Sequence, residues 1–217
     1  MEITRTPNYI LIDDWLPQGV IDDILKELEY LEPLTEPNVM DRYRVVGHKQ
    51  SHITLVDNHF EDRSKSAILS AFDQYLWSKE FEDEVLNHPD TAQIFKILPH
   101  TEFDSTELQI YGDGGWYTDH KDDATFGELV VCNLLMCRNP KKFTGGELVV
   151  EGEKIEHKQN RLLIFPSLAL HSVEEVHMES NDPLDGRISL QHRSWFKQIS
   201  PIGGAATITP FSQDPEI

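Results

Sequence analysis

From about residue 91 onward the chain is a succession of short β-rich runs, and this constrains its fold more than any other feature. The runs are Gln93–Leu98, Thr106–Tyr111, Glu128–Cys137, Glu147–Glu151, Arg161–Phe165, His171–Val176 and Arg187–Phe196, separated by clusters of Gly, Pro, Asn and Asp. Short strands at near-regular spacing predict an antiparallel sandwich or jelly roll rather than βαβ units. Before residue 91 the period is different. Tyr9–Trp15 reads as a short strand, and Val20, Ile21, Ile24, Leu25, Leu28 and Leu31 recur at helical spacing, which predicts an amphipathic helix over about 18–31. Residues 42–57 are strand-like in places. Ile68, Leu69, Phe72, Tyr75 and Leu76 form a second helical stripe, continued over 79–88 after a break. The fold class is therefore mainly β with N-terminal helices. Residues 1–90 are expected to pack as a support on a core of 91–199, with 200–217 as a C-terminal arm, all within one structural domain.

Charge and cysteine content limit the partners. The 217 residues carry 19 Lys+Arg against 38 Asp+Glu, a formal charge of −19. Such a surface repels phosphate backbones and anionic lipid, so nucleic acid is a disfavoured partner. No apolar window approaches the roughly 20 residues that span a bilayer, and MEITRTPNY lacks the charged-then-apolar pattern of a secretory signal. A cytoplasmic protein without membrane contact is expected. Cys132 and Cys137 form no Cys-x-x-Cys pair, and their odd separation points them to opposite faces of one strand, as two small buried hydrophobes.

The densest chemistry lies in YGDGGWYTDHKDD, residues 111–123. His120 and Asp122 are two apart, so on a regular strand they share a face and can give two ligands to a divalent metal. FPSLALHSVEEV offers a third in His171, 51 positions later. Two His and one carboxylate leave about three positions of an ion open, the facial triad of non-haem Fe(II) oxygenases. A His-x-Asp pair is weak by itself in a chain of ten histidines, and His157, His177 and His192 have no ligand-spaced partner. Arg187, 16 residues after His171 in GRISLQHRSWF, strengthens the pattern, because a guanidinium on the last strand suits a bidentate grip on a carboxylate. Ser189 shares its face, and Tyr111, nine before His120, is a candidate phenol donor to the same acid.

With these residues in place the sequence resembles the Fe(II)/2-oxoglutarate-dependent dioxygenases, within them the prolyl 4-hydroxylase-like branch that includes the PKHD-type hydroxylases. The resemblance covers roughly 105–197 and rests on YGDGGWYTDHKD, NPKKFTGGELVVEG, RLLIFPSLALHSVEEV and GRISLQHRSW, in that order. It implies a double-stranded β-helix (jelly roll, cupin-like) core. It implies Fe(II) on His120, Asp122 and His171, and 2-oxoglutarate held through its distal carboxylate by Arg187, with Tyr111 and Ser189 nearby. O2 is the second cosubstrate, ascorbate a candidate reductant, and the product a hydroxylated C–H bond. Trp116 and Tyr117 would line the pocket mouth, and Trp195 and Arg193 the approach along the last strand. An Asp at 122 leaves no vacant ligand position for halide, which favours hydroxylation over halogenation. Asp119 or Asp123 could orient a ligand imidazole or be solvated loop acids.

Two features depart from the branch: the stretch from His171 to Arg187 is longer by about HMESNDP, and Glu128–Cys137 lacks a tyrosine. The implied substrate is a prolyl or other residue of a peptide or protein, or a small amino-acid-like molecule. One alternative is an AlkB-type nucleic-acid dealkylase, since Arg187 and Arg193 stand six apart, but the charge opposes it and the Gly145–Gly146–Glu147–Leu148 run is left unexplained. The other is a non-enzymatic metal-binding jelly roll, which has no need of Arg187. Pairing of two copies into a homodimer through the 200–217 arm is left open.

Overall fold

The computed structural model describes residues 2–40, 46–122, 128–138 and 140–195. The 200–217 arm, Asp123 and Phe196 lie outside the described residues. In chain order the elements are β1 (Glu2–Arg5), β2 (Ile10–Asp13), α1 (Gln18–Leu31), β3 (Glu36–Met40), β4 (Val46–Leu55), α2 (Ala67–Ala71) and α3 (Lys79–Phe81). Then come β5 (Phe103–Tyr111), β6 (Trp116–His120), β7 (Glu128–Met136), β8 (Phe143–Gly145), β9 (Leu148–Val150) and β10 (Glu153–Ile155). The last elements among the described residues are β11 (Arg161–Pro166), β12 (His171–Val173), β13 (Val176–Met178) and β14 (Arg187–Trp195).

The helices follow from their sequences. Ile21, Ile24, Leu28 and Leu31 place one buried stripe along α1. Ser66 and Ser78 start α2 and α3, each side-chain oxygen accepting a hydrogen bond from the backbone N–H three residues on, at 3.0 Å. Both short helices run on into π-helical turns, Phe72–Leu76 and Glu82–Leu86. The strand expected at Gln93–Leu98 is instead a 3₁₀ helix, Gln93–His100. Its buried residues, Phe95 and Leu98, are three apart, a helical rather than a strand interval. Their shared face joins the helical side of the core.

The strands form one curled antiparallel sheet in the order β1-β2-β11-β7-β14-β5-β4-β6-β12-β9-β10, with β3 on the side of β4. The corner is β4, whose His52–Leu55 pair with β5 while Lys49 and Gln50 pair with β6. The sheet therefore folds over on itself, as expected of a jelly roll. The expected run His171–Val176 divides: β12 stays in the main sheet and β13 pairs with β8 as a separate ribbon. The residues that lengthen the His171–Arg187 connection continue from that ribbon into a capped turn at Pro183–Asp185.

Alternation along the central strands separates two interiors. On β7, Val130, Cys132, Leu134 and Met136 face the helices, while Val131, and Cys137 just past the strand's end, belong to the cluster between the two halves of the sheet. The two cysteines are thus free, buried and on opposite sides. On β14, Ile188 and Leu190 pack with the helices, and His192 stacks on Phe72 at 4.5 Å, its Nδ1 3.0 Å from Thr106 Oγ1. The other parity of β14, Arg187, Ser189, Gln191 and Arg193, lines a cavity inside the curl. With both faces covered, strand period 2 becomes a division between an apolar layer and a polar chamber.

Candidate metal centre

β6 ends on His120 and β12 begins on His171, and the two are direct partners in the antiparallel pairing. Asp122 lies beyond the end of β6, so a loop rather than strand alternation aims it. Its N–H donates to Ser167 O at 2.8 Å, which ties that loop to the segment just before His171. His120 Nε2 is 4.0 Å from Asp122 Oδ1, and His171 Nε2 is 3.8 Å from Asp122 Oδ2. Each residue offers a ligand atom, all within 4.8 Å of one another. Donors at this separation can share one divalent ion at bonds of roughly 2.0–2.2 Å.

The tautomers suit that role. His120 Nδ1 donates to Thr118 O at 2.8 Å and His171 Nδ1 to Ala169 O at 2.9 Å; a carbonyl only accepts, so both Nε2 lone pairs point inward. Backbone carbonyls therefore orient the imidazoles, and Asp119 is an exposed acid. Burial pushes both imidazoles toward the neutral form, with His120, also beside His171, at about 4. Neutral imidazole is the metal-binding state. Tyr117 stacks on His120 with centroids 3.6 Å apart, and Phe165 packs its edge on His171 at 4.9 Å.

A partly open cavity lies beside the triad. His120, His171, Tyr111, Tyr117, Arg187, Ser189 and Arg193 line it, as sequence reading expects. So do Gln109, Asn133, Gln191, Leu148, Phe165 and Val173, which that reading does not name. Trp116 and Trp195 are not among the lining residues; Trp116 pairs with Gln50 and Trp195 with Phe103 at the outer end of β14. Two expected donors are already committed. Tyr111 OH donates to Gln109 Oε1 at 2.7 Å, and Ser189 Oγ donates to Asn133 Oδ1. Asn133 stands on β7, where a tyrosine is missing. Lys49 is a further residue without a sequence signal; it is buried, with its ammonium 4.6 Å over the Tyr117 ring.

Arg187 is 1% exposed, an unusual position for a guanidinium. Its Nε donates to Gly146 O at 2.8 Å, and its carbon centre lies 4.9 Å over the Tyr111 ring. Nη2 is buried with no hydrogen-bond partner among the described residues. A charged donor left so on a cavity wall suits an anion in that cavity. The glycines that carry Arg187 are sterically required. Gly146 has φ +71°, and a Cβ there would come 3.1 Å from Arg187 Cδ and 3.0 Å from Val176 Cγ2. At Gly145, φ +70°, a Cβ would fall 2.0 Å from Glu175 O. Gly145→Ala is expected to cost more than the roughly 1 kcal/mol of a compatible glycine exchange, because the β8–β13 ribbon must open. A urea midpoint unchanged from wild type would refute this.

Residues 106–197 match the model of the 2OG-Fe(II) oxygenase superfamily. A PKHD-type hydroxylase of Prochlorococcus marinus is 38% identical over 69 residues, a stretch that covers 29% of this chain and 31% of that relative. The match thus spans about a third of the relative's length. Among solved structures, a Pseudomonas putida prolyl-4-hydroxylase superposes with a TM-score of 0.58 at 17% identity, covering 88% of this chain and 94% of the other. The prolyl hydroxylase from Trichoplax adhaerens, solved with a hypoxia inducible factor peptide fragment, gives 0.62 at 16% identity, covering 88% and 84%. At such identities the superpositions establish the jelly-roll fold. His120, Asp122, His171 and Arg187 all fall inside the segment, residues 106–197, that matches the model of the 2OG-Fe(II) oxygenase superfamily.

Proposed function

We propose that the protein is an Fe(II)- and 2-oxoglutarate-dependent dioxygenase that hydroxylates a C–H bond of a prolyl or other amino-acid residue in a peptide, or of a small amino-acid-like molecule. The observation that carries this is one cavity walled both by His120 and His171 of the triad, whose imidazoles burial holds neutral, and by Arg187, whose Nη2 is buried without a hydrogen-bond partner among the described residues. Bound Fe(II) supplies O2 activation coupled to decarboxylation of 2-oxoglutarate to succinate and CO2. The chain's own residues do the remainder. His120, Asp122 and His171 would hold the ion, three donors that would leave room for cosubstrate. Arg187 neutralises the distal carboxylate of 2-oxoglutarate. Tyr111, Gln109, Asn133 and Ser189 form a satisfied polar wall that keeps the chamber in shape. Tyr117 and Arg193 face the space left for the substrate.

The charge of −19 opposes the nucleic-acid reading. A metal-binding module without turnover gains nothing from a buried guanidinium. We place the protein in the cytoplasm, where two free buried cysteines are stable; among the described residues no helix is long and apolar enough to cross a membrane. Anaerobic titration with Fe(II) and 2-oxoglutarate is expected to produce the weak visible charge-transfer band of the chelate. Admission of air should then yield succinate. No band at saturating iron and cosubstrate would sink the proposal.

A further inference from the structure

Arg187 lies 16 residues after His171, and the connection between them is fastened close to the arginine at two points. The first is Val176 of β13, which is fully buried. Its N–H donates to Gly115 O and its carbonyl accepts from Gly114 N–H, both at 2.8 Å, while Met178 N–H donates to Asp113 Oδ1 at 2.9 Å. β13 is thereby tied to the turn that leaves Tyr111, whose ring lies under the Arg187 guanidinium. Val176 also stands opposite Gly145 in the pairing with β8, and Gly146 N–H donates to Glu175 O at 3.2 Å. Gly146 is the residue whose carbonyl holds Arg187 Nε. It is enclosed by Val176 Cγ2 and Arg187 Cδ, which a Cβ there would meet at 3.0 and 3.1 Å. The second point is Asp185, two residues before Arg187. Its buried carboxylate accepts from Ser180 Oγ at 2.6 Å, Lys142 Nζ at 3.0 Å and Arg138 Nη1 at 3.1 Å. Beyond it, Gly186 presses on β5 so closely that a Cβ would fall 2.4 Å from Tyr111 O.

A guanidinium grips a carboxylate through parallel N–H bonds, so its value depends on where the planar fork is aimed. Arg187 Nε is bonded to Gly146 O, whereas Nη2 has no hydrogen-bond partner among the described residues. The aim of the group therefore depends on Gly146 and on the start of β14. We propose that the connection from His171 to Arg187 is a positioning strap: Val176, through Gly146, and Asp185, through the start of β14, set the aim of the guanidinium and with it the preference for a 2-oxo acid that carries a second carboxylate. This rests on the dioxygenase reading and deepens it, because neither residue lines the cavity and both act through Arg187. The residues that make the connection long, HMESNDP at 177–183, are the material of the strap. Met178 reaches the turn after Tyr111, Ser180 bonds the Asp185 carboxylate, and Asp182 O accepts from Asp185 N–H at 3.0 Å.

The test is anaerobic titration of the full chain at saturating Fe(II) with two acids, each carried to saturation. One is 2-oxoglutarate, and the other is 2-oxopentanoate, which has a methyl group in place of the distal carboxylate. The chelate band gives both dissociation constants, and thermal unfolding of the metal-free protein gives stability. Wild type is expected to bind 2-oxoglutarate more tightly. Val176→Ala removes the side-chain contact on Gly146 and should weaken 2-oxoglutarate about tenfold while 2-oxopentanoate is unchanged. Val176→Thr keeps the branched shape but buries a hydroxyl, so it should lose stability and keep the preference. Asp185→Asn, which removes the charge from the clamp, should reduce the preference in the same direction as Val176→Ala. No band with either acid in wild type overturns the dioxygenase reading and this inference together. With the band present, three results overturn the inference alone: a wild-type ratio of the two constants in Val176→Ala or Asp185→Asn, an equal weakening of both acids in Val176→Ala, or a loss of preference in Val176→Thr to match Val176→Ala. If Val176→Ala does not fold, the ratio in Asp185→Asn decides alone.

Discussion

Metal-free His171→Ala protein is expected to fold but to gain no stability from Fe(II) and to form no succinate. His171 is the member of the triad that β12 brings beside His120, and its Nε2 stands 3.8 Å from Asp122 Oδ2. Without it two donors remain, too few to hold an ion against water. Activity should therefore fall by more than the roughly 10–100-fold that loss of an outer hydrogen-bond partner costs. The fold itself should lose less. The ring's packing on Phe165 disappears, and Ala169 O loses its donor, at about 1–3 kcal/mol for an orphaned buried acceptor. Thermal unfolding with and without Fe(II) separates the effects. Wild type should gain about 2.7 kcal/mol at a hundredfold excess of ion over its dissociation constant, and the variant nothing. An Fe(II)-dependent shift that survives in His171→Ala would mean that the third ligand lies elsewhere.

Arg187→Met is expected to separate binding from stability in the opposite way. Truncating one side of a buried, hydrogen-bonded charge pair costs about 2–5 kcal/mol, so affinity for 2-oxoglutarate should fall roughly 30-fold to several-thousand-fold. The metal-free protein should be no less stable than wild type. In wild type an Nη2 is buried without a hydrogen-bond partner among the described residues, and burial pulls the guanidinium's pKa down. Methionine fills most of the same volume without a charge to desolvate. A loss of stability with 2-oxoglutarate affinity intact would assign Arg187 to the architecture and remove it from the cosubstrate site.

The parts of the molecule legible in sequence are those set by local period. The helix expected over about 18–31 is α1, Gln18–Leu31, because one apolar stripe and a proline before it specify the element locally. Most strands from Thr106 to Arg187 emerge for the same reason. Gln93–His100 is misread because a short apolar run satisfies either period, and packing of Phe95 and Leu98 under the helices decides it. Gln109 and Gln191 had a usable signal: each lies two residues from Tyr111 or Ser189, hence on the same face of its strand. Lys49 had none. Its burial comes from β4 reaching β6 across the curl, a pairing between positions nearly seventy residues apart, Lys49 with Tyr117. Trp116 and Trp195 show the converse, since aromatic character near a motif does not specify which way a ring is turned.

The double membership of β4 bears on how such a protein can be cut and recombined. The stretch that matches the superfamily begins at residue 106, yet β4, at Val46–Leu55, is the stave between β5 and β6, and β2 closes the flank of β11. Excised alone, the stretch would present bare ladder edges on both sides of the metal centre, ready to pair with other chains. The triad and Arg187 lie close enough in sequence to look portable, but the sheet that holds them also takes strands from before residue 106. Chimeras of this fold should therefore exchange loops and leave the staves in place, with the N-terminal strands travelling alongside the triad they enclose.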